Sequence, residues 1–351
     1  PLFSGATRLA APFLFYGTGN TVNEIDYFVT AMDFGPFFVS SIALAGFFIG
    51  TGRMQVVTRT MVASNIINII LNYILVFRFD MGCTGSAIAT GLSQFCQTVY
   101  YLTLFLNHNS RTVYGTGDWG FDKVQFIEFL RLAVPSSIGR MIEVTAHVVF
   151  FRIMVMAGTE AMTIATMVQS FFLLCNFMVD GLAKGATAII SNCVGAGKKE
   201  LLSKVLKAAM SVHTIVFFVV MAFFMVFTEQ AGSIFFSESE RAMMSQPGFV
   251  STLRLAMFWM TIFFLFDGFG WIFFGLFTAC NDTKFVMYVS IICTWLTYIL
   301  PVYLVIGVYK GSGDLAWLIM ALYNAVNVAC YYWRYRKTIA GKSLTPAQVT
   351  V

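Results

Sequence analysis

Nine long apolar runs, separated by short polar loops, leave this chain few ways to fold. They cover residues 27–50, 59–78, 84–107, 132–157, 161–187, 205–228, 250–279, 284–308 and 314–335. A span of roughly 20 apolar residues crosses the hydrocarbon of a bilayer as a helix, and only helices or closed barrels satisfy their backbone groups there. The 351 residues are 58% apolar, 17% aromatic and 11% charged, against about 25% charged in an ordinary soluble domain. A soluble multidomain enzyme, a disordered chain and a disulfide scaffold are excluded. The expectation is an all-α polytopic membrane protein. The seven cysteines are scattered and form no C-x-x-C pair, so they read as small packing residues.

Loop charges give the sidedness. One set of loops holds Arg53, Arg59, Arg111, Lys123, Arg131, Lys198, Lys199, Lys204, Lys207, Lys284, Arg334, Arg336, Lys337 and Lys342. The alternate set holds only Arg8, Arg78, Arg241, Lys310 and, at a helix end, Arg254. The positive-inside rule puts the first set, and with it the C-terminus, in the cytoplasm. Nine crossings then leave Pro1 outside with neither initiator Met nor signal peptide, which reads as an N-terminal truncation. The net charge of +5 is thereby explained by topology, and no nucleic-acid partner is expected. Residues 1–26 are too interrupted to span. The polar stretch 108–131 reads as a linker that ends in an amphipathic, interfacial helix over Phe121–Leu132.

An internal repeat is visible. Thr51-Gly-Arg-Met-Gln and the span after it match Cys280-Asn-Asp-Thr-Lys and its span at a constant offset of 229, which also pairs Phe48 with Phe277, Gly82 with Gly311 and Ala87 with Ala316. Parallel repeats of this kind mark secondary transporters that bind substrate between the halves. The repeat position of Asp267 is Phe38, so packing of the repeat does not demand an acid there.

A charge at mid-bilayer costs roughly 2.5–3.5 kcal/mol, so each one inside a span needs a reason. Arg140, Glu143 and His147 share one face of the fourth span, and Arg152 near its end snorkels. Asp180 and Lys184, four apart, can neutralise each other. Asp267 sits midway along the seventh span with no opposite charge within a turn. Glu143 and Asp267 therefore stand out as carboxylates able to take up a proton or a hard cation such as Na⁺. Arg140, His147, Gln169, Asn176, Asp180 and Lys184 are candidates for the substrate cavity. No catalytic motif competes, and Gly195-Ala-Gly197-Lys198-Lys199 lacks the first Gly and the Ser/Thr of a phosphate loop. The chain reads as a transporter and not an enzyme.

Taken in order and spacing, several motifs resemble the multidrug and toxic compound extrusion (MATE) family, its NorM-like branch in particular. They are Ala133-Val-Pro-Ser-Ser-Ile with Glu143 eight residues after Pro135, Asn65-Ile-Ile-Asn-Ile-Ile-Leu-Asn72-Tyr, Gly82-x-x-Gly85-Ser-Ala-Ile-Ala-Thr90, Gly195-Ala-Gly-Lys-Lys, and Asp267 fifteen residues before Asp282. The resemblance implies two pseudo-symmetric lobes of six helices, of which nine of twelve helices are present. Residues 1–107 would be a partial N-terminal lobe, 108–131 the linker, 132–338 the C-terminal lobe and 339–351 a cytoplasmic tail. It implies a monomeric plasma- or inner-membrane antiporter without resident cofactor. Na⁺ or H⁺ would couple at Glu143 and Asp267, and amphipathic, often cationic drugs would be carried. The first-lobe loop Gly52-Arg-Met-Gln55 departs from the family's usual Gly-Asp-Thr-Lys/Arg. A flippase for lipid-linked precursors and a non-transporting receptor or scaffold are the alternatives.

Overall fold

The structure, a computed structural model, describes residues 21–118, 120–235 and 248–340. Most of segment 1–26, with Arg8, Arg241, Lys342 and the tail beyond residue 340, lies outside the described residues. Each apolar run is helical. Helices α1 (Thr21–Asp33) and α2 (Gly35–Gly50) meet at a 49° bend. Then follow α3 (Met54–Asn72, prolonged by a π-helical turn Tyr73–Arg78), α4 (Gly82–Phe105) and the short α5 (His108–Tyr114). Next come α6 (Lys123–Met156), α7 (Thr159–Gly195), α8 (Leu202–Phe235) and α9 (Phe249–Ala279). Last are α10 (Thr283–Ile292, continued in helical turns to Val308) and α11 (Asp314–Tyr335). Among the described residues, six helices are long and apolar enough to cross a membrane, and the bent α1–α2 pair makes a seventh. Helices α4 and α6 are long enough, but α4 is rich in Gly, Ser, Thr and Gln, and α6 carries the charged face of Arg140 and Glu143.

The chain divides into two compact units, Pro1–Phe121 and Asp122–Val351. The division falls inside the stretch read from sequence as a linker, at the N-cap of α6. The Asp122 carboxylate accepts from the backbone N–H groups of Val124 (2.8 Å) and Gln125 (3.3 Å). The amphipathic residues are thereby the first turns of α6, continuous with the span through Pro135. Asp122→Ala is expected to cost about 1 kcal/mol, seen as a lower melting temperature of the purified protein.

Each unit preserves the repeat, with one correction. The loops match at an offset of 229: Arg53 N–H donates to Phe48 O (2.7 Å), as Asp282 N–H does to Phe277 O (2.8 Å). At the far ends of the spans the equivalent bonds are Met81 N–H to Leu75 O (3.0 Å) and Gly311 N–H to Val305 O (2.8 Å), an offset of 230. One residue has been inserted, and the gap-free alignment of Gly82 with Gly311 does not hold. The π-helical turn Cys293–Ile299 of α10 absorbs it, since a π-turn accommodates one extra residue without breaking the rod. The offset of 230 also relates two seams: Ser64 Oγ donates to Ser93 O (3.1 Å), and Thr294 Oγ1 meets Tyr323 Oη (3.2 Å).

In the second unit α9 is the central helix, packed against α7, α8 and α11. It is apolar all round, as a helix enclosed by others must be, and it buries Phe249, Leu253, Met257, Met260, Phe264, Phe273 and Phe277. The outer faces stay apolar too, with Ile66, Ile69 and Ile70 on α3 and Phe218, Val219 and Val226 on α8 exposed. Such surface suits acyl chains and not water.

Candidate functional site

Asp267 is the one acid on α9 and is only 7% exposed. A carboxylate in that position must be hydrogen-bonded, and two neighbouring helices supply the donors. Asn176 Nδ2 on α7 donates to Oδ2 (3.3 Å), and Asn324 Nδ2 on α11 donates to Oδ1 (3.2 Å). Helix α8 fixes the backbone beside it. The buried His213 ring lies across Gly268, its Nε2 in reach of the carbonyls of Phe264 (3.2 Å) and Leu265 (3.1 Å). A side chain at 268 would overlap that ring.

Asp267 opens onto a cavity of about 250 Å³ walled by α6, α9, α10 and α11, and Glu143 lines the same cavity. Arg140 Nη1 donates to Glu143 Oε2 (2.8 Å), and the guanidinium carbon lies 4.9 Å from the centre of the Trp271 ring. Asn324 and Asn327, with Ser136, Ser290, Tyr323 and Tyr331, add polar groups to the wall. The Asn327 Oδ1 atom is buried and has no hydrogen-bond partner. In the chamber wall, Tyr323 stacks on Tyr298 behind it, with ring centres 5.2 Å apart. Two acids, a cation, an aromatic face and neutral amides form a chamber suited to positively charged species. Among the described residues there is no cluster of three or more His, Cys, Asp or Glu. A Na⁺ ion held here would therefore need amide or hydroxyl oxygens beside the two carboxylates.

The other candidate residues divide. Arg140 lines the chamber, and Asn176 stands behind it as a support for Asp267. His147 does not line it; its Nδ1 lies 2.9 Å from the Glu143 carbonyl. Asp180 and Lys184 pair with each other at 2.6 Å, both well exposed within this unit and outside the chamber. Gln169 is half-buried on α7, also outside it. Sequence reasoning missed Asn324, Asn327 and His213. The signal available for them was their polarity inside apolar spans, but nothing local pointed them toward Asp267.

Residues 135–304, which include both acids and most of the chamber wall, match the MatE family model. Multidrug and toxin extrusion protein 1 of Oryctolagus cuniculus is 27% identical over 189 residues, covering 53% of this chain and 32% of that protein. The multidrug export protein MepA of Staphylococcus saprophyticus is 22% identical over 287 residues, covering 81% and 61%. The match thus spans about a third of the mammalian relative's length. Among solved structures, an outward-facing multidrug resistance MATE family transporter of the MOP superfamily superposes with a TM-score of 0.87 at 20% identity, covering 98% of this chain and 76% of that one. A MOP superfamily transporter from Pyrococcus furiosus gives 0.86 at 19% identity, with the same coverage. These two speak to the fold. The MatE family model thus lies across the chamber, where this chain is similar to that family, and nearly the whole chain follows the fold of the solved MATE transporters.

Proposed function

We propose that this protein works in a cation-coupled efflux transporter. Amphipathic, often cationic compounds leave the cytoplasm by alternating access, in exchange for Na⁺ or H⁺ taken up at Glu143 and Asp267. The observation that carries this reading is Asp267 itself: an acid buried in the central helix, hydrogen-bonded by neutral amides and facing a chamber that also holds Glu143. Uptake of a proton or cation changes the charge of α9 relative to α7 and α11. That differential interaction is what a coupling ion needs to shift a two-state equilibrium. The basic residues Arg334, Arg336 and Lys337 at the end of α11 support a cytoplasmic C-terminus. Little favours the flippase reading, because the two cations that could hold a pyrophosphate, Arg140 and Lys184, are each already paired with a carboxylate.

The test is drug accumulation in cells expressing the full-length gene. Glu143→Gln is expected to bring accumulation close to that of cells lacking the transporter. Extrusion unchanged in this variant would remove Glu143 from the coupling site.

A further inference from the structure

Two groups from different helices converge on one point of the chamber. The Glu143 carboxylate comes from α6 and the Trp271 ring from α9. An anion beside an aromatic face is a recognition pair for a cation, and here the cation is the protein's own. The Arg140 guanidinium is 2.8 Å from Glu143 Oε2 and 4.9 Å from the Trp271 ring centre. Arg140 is not locked into the helix packing, because its side chain is 55% exposed. In the wall of the same chamber, Asn327 is 8% exposed and its Oδ1 accepts no hydrogen bond. Buried acceptors are ordinarily satisfied, and this one, in the same cavity wall as Arg140, is not.

We propose that Arg140 is a tethered occupant of a cation subsite: a ligand with an ammonium N–H takes its place between Glu143 and Trp271, and its N–H satisfies Asn327 Oδ1. The inference deepens the transporter reading and rests on it for the use made of the ligand, while the binding event stands apart from coupling. A tethered competitor holds the subsite at a high effective concentration. Apparent affinity for a free ligand then falls by the fraction of molecules in which the subsite is vacant. Arg140 thereby sets the threshold a ligand must exceed, and N–H donors are favoured over fully alkylated ammonium groups.

The experiment measures equilibrium binding of benzylammonium and benzyltrimethylammonium to the purified full chain in lipid nanodiscs, by calorimetry. Arg140→Gln is expected to tighten benzylammonium binding about tenfold. Arg140→Lys, which keeps the charge but not the planar stacking, should tighten it by a smaller factor. The unaltered protein should prefer benzylammonium to its trimethyl analogue, and Asn327→Leu should remove that preference. Unchanged or weaker binding in Arg140→Gln, with its melting temperature kept, overturns the proposal. If that variant does not fold, the same result in Arg140→Lys overturns it, and equal binding of the two probes by the unaltered protein overturns the role of Asn327. Extrusion that survives loss of the acids would sink the coupling assignment while leaving these binding results standing.

Discussion

Replacing Asp267 with Asn is expected to abolish coupled extrusion while leaving the helix bundle folded. The substitution keeps the shape of the side chain, and its amide oxygen still accepts a hydrogen bond from Asn176 or Asn324. What it removes is the charge. Hydrogen bonds to a charged group are worth about 1.5–3 kcal/mol, so loss of the carboxylate should lower transport by at least about tenfold. Stability should hold or rise, because an ionised acid inside a bilayer costs roughly 2.5–3.5 kcal/mol. Drug accumulation and a melting curve on the same preparation separate the two effects. Wild-type extrusion with an unchanged melt would place coupling on another group. Asp267→Leu makes a useful contrast: it leaves both amide donors unmet, and it should lower the melting temperature as well as transport.

The second large effect belongs to Gly268, where the expected change is in stability. A methyl at this position overlaps the His213 ring. That ring is 1% exposed and bonded through Nε2 to the carbonyls of Phe264 and Leu265. Overpacking of a tight core costs about 1–3 kcal/mol, and a buried donor left unmet adds about 1–3 kcal/mol. Gly268→Ala should therefore lower stability by about 2–6 kcal/mol, read as a marked drop in melting temperature in detergent. Shortening the obstacle tests the cause: the double variant Gly268→Ala, His213→Ala should recover part of the loss. A single variant that melts like the parent would show that the ring is free to move aside. Because Gly268 adjoins Asp267, the single variant should also reduce extrusion.

Much of the chamber was legible before any tertiary information. Asp267 and Glu143 stood out because charge inside an apolar span is costly, and that cost can be read one residue at a time. The partners of Asp267 could not be read in this way. Asn176 lies 91 residues before it and Asn324 57 after it, and no local pattern links residues so far apart. The inserted residue in α10 was hidden for a different reason. A π-turn leaves the hydropathy of Cys293–Ile299 unchanged, so only the shifted hydrogen bonds at Met81 and Gly311 reveal it. The amphipathic helix read at the end of the linker is capped by Asp122 and runs without a break into the span that follows.

By itself the sequence determined an all-helical membrane protein with a repeated loop-and-span unit and two acids inside its spans, one of them, Asp267, not required by the packing of the repeat. Apolar length and the cost of buried charge act along the chain, so they need no partner to be recognised. Only the tertiary structure decided that Glu143 and Asp267 share one chamber, that Arg140 lies between Glu143 and Trp271, and that Asp180 and Lys184 stay outside. Helical periodicity assigns a residue to a face of its own helix. The rotation and depth of each helix against its neighbours come from side-chain packing across the bundle, and these decide which faces meet.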